Sequence, residues 1–437
     1  MLDKLQQHID KHNLLESKDR ILLTVSGGKD SVCMLHLFAQ LDYPLAIAHC
    51  NFSLRGIDSD KDENFVKGLA TQYGVPFFSK RFETKKYAQE KGISTQMAAR
   101  DLRYDWFQQL GFDKIVTAHH QDDHIETLLL KKSRKASLEG LCGIPVKNGN
   151  IIRPLLCFPA QEIESHLLQN KWRWREDVSN AFPDYQRNEI RLLQLPSMEK
   201  KNPNIRKELL QEIAVNQQKY AALQKEVKRL FPFVWKNSDA HQELYLKELL
   251  NHPQKQELLY EFLKEYGPYP WQDVFALMEA ENGKEIRNQY YRLIKNRGSL
   301  LLVANKIQKQ ASVQIDKSIC AIELPIPLSF SVLNRSDVMN LSDTSMAFID
   351  MSKLSFPLIL RKWKQGDVFV PLGMQGRKKL SDFMVDEKLS ILDKENTWVL
   401  CSNNNIVWVV GHRLDDRYKL VAQTEKVYLV QPLKTIK

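Results

Sequence analysis

A strand, a tight glycine turn and a helix follow one another within residues 21–41, and this junction constrains the chain more than any other segment. The apolar, β-rich run 21–25 ends at once in Ser26-Gly27-Gly28-Lys29-Asp30-Ser31. An amphipathic stretch follows over 31–41, with Val32, Leu35, Leu37 and Phe38 as its apolar positions. Three further apolar runs, 45–49, 75–78 and 114–118, alternate with helical patterns at 60–73, 94–110 and 122–131. Such alternation predicts an α/β fold, a doubly wound parallel sheet with helices on both faces. Ligands of these sheets bind beyond the carboxyl ends of the strands. Polar, small or ionisable residues follow three of those ends, at Ser26 to Ser31, His49 to Arg55 and His119 to Glu126.

At 437 residues the chain needs more than one core. After about residue 195 long helical patterns rich in Lys, Glu and Gln begin, over 203–230, 243–266 and 270–281. From about residue 312 short apolar runs with Pro, Gly and Asn punctuation take over, including 398–401, an Asn403-Asn404-Asn405 turn and 406–410, with one helix near 379–388. The expected organisation is a catalytic α/β domain over 1–200, a helical middle domain over 201–311 and a small β-rich α+β domain over 312–437.

Lys and Arg exceed Asp and Glu by 63 to 53, a net charge of +10 that suits either a polyanionic partner or an ordinary solvated surface. The 6 cysteines lie far apart without a C-x-x-C pair, so they read as reduced thiols, with no zinc or iron–sulfur site expected. The charged amino terminus and the lack of about 18 consecutive apolar residues predict a cytoplasmic protein without a membrane span.

A Gly-Gly turn between strand and helix offers backbone N–H groups and the positive helix end to phosphate. The G-x-x-x-x-G-K-[ST] spacing is absent, which disfavours the usual cleavage of a terminal phosphate. In His119-His120-Gln121-Asp122-Asp123-His124-Ile125-Glu126, the carboxylates of Asp123 and Glu126 fall on one helical face, where they suit an ammonium group or a metal. The plainer alternative is an acidic helix start favoured by the macrodipole. The three histidines lack an H-E-x-x-H arrangement.

The loop 26–31 resembles the signature of the PP-loop ATP pyrophosphatases, which split ATP between its α and β phosphates. The chain as a whole resembles the tRNA(Ile)-lysidine synthetase family. The carrying motifs are Ser26 to Ser31, His49 to Gly56, Ala98 to Tyr104, His119 to Thr127, Arg153-Pro154-Leu155-Leu156, Arg175-Glu176-Asp177 with Ser179-Asn180, and Arg187-Asn188-Glu189-Ile190-Arg191. In the terminal domain they are Gln365 to Asp367, Pro371 to Met374, Lys378 to Phe383 and Gly411 to Lys419. Phe52, Gln96 and the segment Lys132 to Ser137 depart from the family pattern.

The resemblance implies ATP-dependent attachment of free L-lysine to the wobble cytidine of the CAU anticodon of tRNA(Ile), through an adenylated base. By the same token, Ser26, Gly27, Gly28, Lys29, Asp30 and Ser31 bind ATP, Asp30 holds Mg²⁺, and Asp123 and Glu126 grip lysine. Arg100 serves the reaction, and Arg103, Arg187, Arg191, Arg377, Lys378 and Lys379 contact tRNA. Arg100 and Arg103 could instead form a salt-bridged helix face with Asp101 and Asp105. Residues 199–229 carry 8 Lys or Arg against 4 Glu. Lys171-Trp172-Arg173-Trp174-Arg175 interleaves basic and aromatic side chains, which fits RNA contact or a core Trp with surface Arg equally. A related thiolation enzyme would need a cysteine pair, and an amidating synthetase a glutamine-hydrolysing domain; neither is recognisable. A non-catalytic RNA-binding protein would have no use for intact Asp30, Asp123 and Glu126.

Overall fold

The computed structural model describes residues 1–54, 56–176, 186–238, 241–305, 312–338, 343 and 345–433. Arg55, Asp177, Ser179 and Asn180, singled out above, lie outside the described residues. The chain divides into two compact units, Met1–Glu226 and Val227–Lys437.

In the first unit α1 (Leu2–Lys11), β1 (Ile21–Thr24), α2 (Lys29–Phe38), β2 (Leu45–Asn51), α3 (Ile57–Tyr73), β3 (Phe77–Arg81), α4 (Thr84–Lys91) and α5 (Thr95–Gln109) lead to β4 (Lys114–Val116). Then come α6 (Gln121–Ser133), β5 (Lys147–Asn148), β6 (Ile151–Ile152) and α7 (Ala160–Gln169). The sheet order is β3-β2-β1-β4-β6-β5, parallel except for the β5/β6 pair at one edge. Successive side chains of β1 point to opposite faces, and both faces are covered. Ile21 and Leu23 join a cluster with α2 and α7, while Leu22 joins one with Trp106 and Phe107 of α5. Such double burial is why β1 reads as an unbroken apolar run. The chain passes from β1 to β2 and β3 on one side and to β4 on the other, so the crevice at the carboxyl ends of β1 and β4 is a topological switch point.

After α7 come α8 (Gln186–Glu189), a π-helical turn (Ile190–Gln194), α9 (Leu195–Lys201) and α10 (Ile205–Val234). Ile190, Leu195, Leu209 and Ile213 pack on Ile125, Leu128 and Leu129 of α6, which brings this segment over the functional helix.

The second unit departs from the helical expectation between 235 and 304. It contains short helices at Lys247–Leu250, Lys255–Leu263 and Trp271–Leu277, but also a five-stranded antiparallel sheet. Its strands are only 3 to 6 residues long, and Gln242–Tyr245 falls in a stretch whose Glu and Gln favour helix on composition alone. Cross-strand burial of Leu244, Leu293 and Leu300, all nearly inaccessible, overrides that local preference. Two further sheets share one core built from Leu360, Trp398 and Trp408 on one side and Phe330, Ile349 and Tyr428 on the other. The Asn turn is present: Asn403 and Asn404 both take positive φ between strands Trp398–Ser402 and Asn405–Val409. The helix expected near 379–388 is present as Leu380–Asp386, and a second, Ile391–Asn396, follows it.

Candidate active site

The loop after β1 is closed by its own hydroxyls. Ser26 and Gly27 each donate a backbone N–H to Ser31 Oγ at 3.2 Å, and Ser31 Oγ donates to the Gly28 carbonyl at 2.9 Å. Gly27 has φ +96°, a conformation open to glycine. No side chain caps the start of α2, which leaves its first N–H groups available to an anion. Lys29 Nζ pairs with Glu164 on α7 at 2.8 Å. Arg175 donates its backbone N–H to the Gly27 carbonyl at 2.9 Å and pairs through its side chain with Asp62.

Across the cleft, His120 caps α6. Its Nδ1 accepts the Asp122 N–H at 3.2 Å, and its own N–H donates to Asp123 Oδ2 at 3.0 Å. His124 Nδ1 accepts the Ile144 N–H at 2.9 Å, and His119 Nδ1 meets Thr117 Oγ1 at 2.9 Å. The imidazoles therefore have separate local partners rather than a shared centre. Burial lowers both His119 and His124 to about 4, which keeps them neutral near pH 7.

Three carboxylates face one another. Burial raises Asp30, and the nearby negative charge of Asp123 adds to this. Its Oδ2 lies 3.6 Å from His120 Nε2, while its Oδ1 is buried with no hydrogen-bond partner. Burial also pushes Asp123 up, but His120, His119 and Arg191 outweigh it and hold the carboxyl below the usual range. Glu126 is fully buried and is raised by that burial despite its partner Arg191. Arg191 grips Glu126 with two nitrogens, Nε to Oε1 at 2.6 Å and Nη2 to Oε2 at 3.2 Å, and reaches Asp123 Oδ1 at 3.3 Å. Arg206, which the motifs did not single out, pairs with Asp122 and Glu199.

Asp30, Glu126, Arg191 and Arg206 line a cleft of about 820 Å³ that also includes the rest of 26–31, Asp62, His120, Asp122, Glu164 and Arg175. A smaller pocket of about 270 Å³ shares Ser26, Ser31 and Ala118 with it and is bounded by Phe52, Arg103, Tyr104, His119 and Asp123. The Arg103 guanidinium lies 5.1 Å from the Phe52 ring centroid, and Arg100, exposed, lies 4.9 Å from that of Tyr104. Among the described residues neither arginine pairs with Asp101 or Asp105. Gln96 is exposed on α5. Arg187 reaches Thr127 Oγ1 at 3.1 Å.

The pentad at 171–175 divides between the two alternatives. Trp172 stacks on the buried His36 at 3.9 Å; Trp174 packs against the same core and also lines the large cleft, with Arg175. In the second unit Arg377 and Lys379 are exposed, and Lys378 pairs with Asp386. Sequence reasoning missed Arg206 because its neighbours in the chain carry no motif; only the packing of α10 on α6 brings it to the cleft.

Family models match three stretches: a PP-loop domain over residues 1–198, a TilS substrate binding domain over 237–306 and a TilS substrate C-terminal domain over 358–430. A tRNA(Ile)-lysidine synthase of Parabacteroides distasonis is 37% identical over 98% of this chain and 99% of its own length. That of Bacteroides thetaiotaomicron is 34% identical over 97% of both chains, and one from Clostridium perfringens is 31% identical over 98% of each. With the phosphate loop and Glu126 lining one cleft, Asp123 in the pocket beside it, and relatives matched over 97% or more of the chain, the chain belongs to the tRNA(Ile)-lysidine synthase family.

Proposed function

We propose that this chain joins free L-lysine to carbon 2 of the wobble cytidine in the CAU anticodon of tRNA(Ile). The observation that carries the reading is a phosphate loop and the buried Glu126 lining one cleft, with Asp123 in the smaller pocket that shares Ser26 and Ser31 with it. In the first step the cytidine 2-oxygen attacks the α-phosphorus of ATP, and pyrophosphate leaves. In the second the ε-amine of lysine attacks carbon 2, and AMP departs with the former carbonyl oxygen.

Residues 26–31 hold the phosphates, with the Ser31 hydroxyl giving up the Ser26 and Gly27 N–H groups to an anion. The unpartnered Asp30 Oδ1 fits a hard cation arriving with the nucleotide, since Mg²⁺ takes one or two carboxylates and fills its shell with phosphate oxygens. When bound, Mg²⁺ offsets charge on the departing pyrophosphate. Asp123, held ionised, orients the lysine ammonium, and Glu126, made more basic by burial, takes the proton that the ε-amine must lose. The smaller pocket, aromatic on one side with Arg103 above Phe52, receives a nucleobase. Arg100 steadies phosphate or base beside it. Arg103, Arg187, Arg377, Lys378 and Lys379 supply tRNA contacts. Residues 1–200 form the catalytic domain, and 201–311 and 312–437 the tRNA-reading parts of a cytoplasmic enzyme.

The test is incorporation of radiolabelled lysine into acid-precipitable RNA, using the full chain, ATP, Mg²⁺ and an isoleucine tRNA transcript with a CAU anticodon. Label is expected with that transcript and not with a CAU-to-GAU anticodon variant. A folded, ATP-binding preparation that incorporates none sinks the reading.

A further inference from the structure

The acid pair already holds a cation, and every one of its oxygens has a donor. Both oxygens of Glu126 are taken by Arg191; Asp123 Oδ1 is taken by Arg191 and Oδ2 by the His120 N–H. Each oxygen could accept a second donor, but an ammonium entering this pair would lie against the Arg191 guanidinium in a buried site, so the two like charges compete for the same carboxylates. The His120 N–H belongs to the capping box of α6, whose loss would unsettle the helix start. Arg191 is the replaceable one. Its side chain is 41% exposed, against 1% for Glu126 and 15% for Asp123. It also sits in a single π-helical turn, a local widening that occurs often at functional sites.

A displaced guanidinium has one evident destination. Arg191 lines the same cleft as the phosphate loop, and its charge is already felt at Asp30. The other cations of that cleft are committed to acids: Lys29 to Glu164, Arg175 to Asp62, and Arg206 to Asp122 and Glu199.

We propose that Arg191 is an exchangeable counter-ion. In the free enzyme it stands in for the substrate ammonium on Asp123 and Glu126; lysine displaces it towards the phosphate side, where it meets the triphosphate. This rests on the assignment of Asp123 and Glu126 to lysine. Because one guanidinium serves both places, lysine and nucleotide bind with positive coupling, and each tightens the other by the same factor. The arrangement also keeps a buried carboxylate paired when lysine is absent, which removes the cost of leaving it as an isolated charge.

The experiment is equilibrium dialysis of labelled lysine against the full chain, with and without Mg²⁺ and the non-cleavable analogue α,β-methylene-ATP, for wild type, R191Q, R191K and E126Q. In wild type the analogue should tighten lysine binding by about fivefold or more. R191Q should bind lysine more tightly than wild type without nucleotide and respond to the analogue by less than about twofold. R191K, which keeps the charge but not the two-pronged contact, should fall between them, and it carries the test if R191Q does not fold. Absence of coupling in wild type, or weaker lysine binding with full coupling in R191Q, overturns the exchange. Unchanged lysine affinity in E126Q overturns the lysine assignment itself, and the exchange with it; a weakened E126Q beside an uncoupled wild type overturns the exchange alone.

Discussion

The cleft of the first unit and the segment 371–379 of the second both carry clustered basic residues, and they use them in opposite ways. In the cleft Lys29, Arg175, Arg191 and Arg206 are each tied to a carboxylate. In the second unit Arg377 and Lys379 are exposed and only Lys378 is paired, with Asp386. Charge counting treats the two alike. A paired cation beside a buried acid sets geometry and local charge balance, whereas an exposed one is free to release counterions from a polyanion. The net charge of +10 thus says little about where RNA is held.

The largest effect should come from the cleft. Asp30→Asn and Glu126→Gln are expected to lower lysine incorporation by about a hundredfold or more while leaving tRNA affinity, read by filter binding, nearly unchanged. A loss confined to tRNA affinity would erase the distinction between the two regions. Arg377→Ala with Lys379→Ala should do the reverse: tRNA affinity falls by about tenfold at low salt, the slope of log affinity against log salt becomes shallower by about 2, and lysine binding is unmoved. An unaltered salt slope would remove these residues from the RNA contact.

A smaller effect tests the support of α6. A Cβ added at Gly143 would lie 2.7 Å from the His124 ring, at a backbone φ of +71°. Gly143→Ala should therefore cost about 1–3 kcal/mol in a chemical denaturation experiment on the first unit's transition. No measurable change would mean that His124 is free to move away. The mildest effect is that of pH. His124 and His119 are held at about 4 in the folded protein, against 6.5 when unperturbed. Between those values the unfolded chain binds protons that the folded one refuses, so stability is full above about 6.5 and declines as pH falls towards about 4. Thermal melts at a series of pH values check this, and a melting temperature that rises on acidification would contradict it.

Much of the catalytic unit was legible in the chain itself. β1 is buried on both faces and so reads as a continuous apolar run, and the turn after it needs glycine at Gly27, where φ is positive. Asp123 and Glu126 were visible as a pair because helical spacing alone puts them on one face. The sheet of the second unit was not legible: its short strands are stabilised by partners far along the chain, as Leu244 is by Leu300. Trp172 was ambiguous for a related reason, since its packing on His36, His166 and the core, all distant in sequence or carrying no motif, is what half-buries it.

What the sequence by itself determined are the local devices: the strand–loop–helix that offers N–H groups to phosphate, the acid pair on α6 and the family motifs in their order. Local periodicity and backbone conformation suffice for these, because each depends on neighbours within a few residues. What only the tertiary structure decided is who faces whom. Arg191, grouped by sequence with the RNA contacts, turns onto Asp123 and Glu126, 65 or more residues away in the chain, and Arg206 joins the cleft from α10. Such pairings are set by the packing of Ile190, Leu209 and Ile213 on α6, an apolar contact that carries no motif of its own.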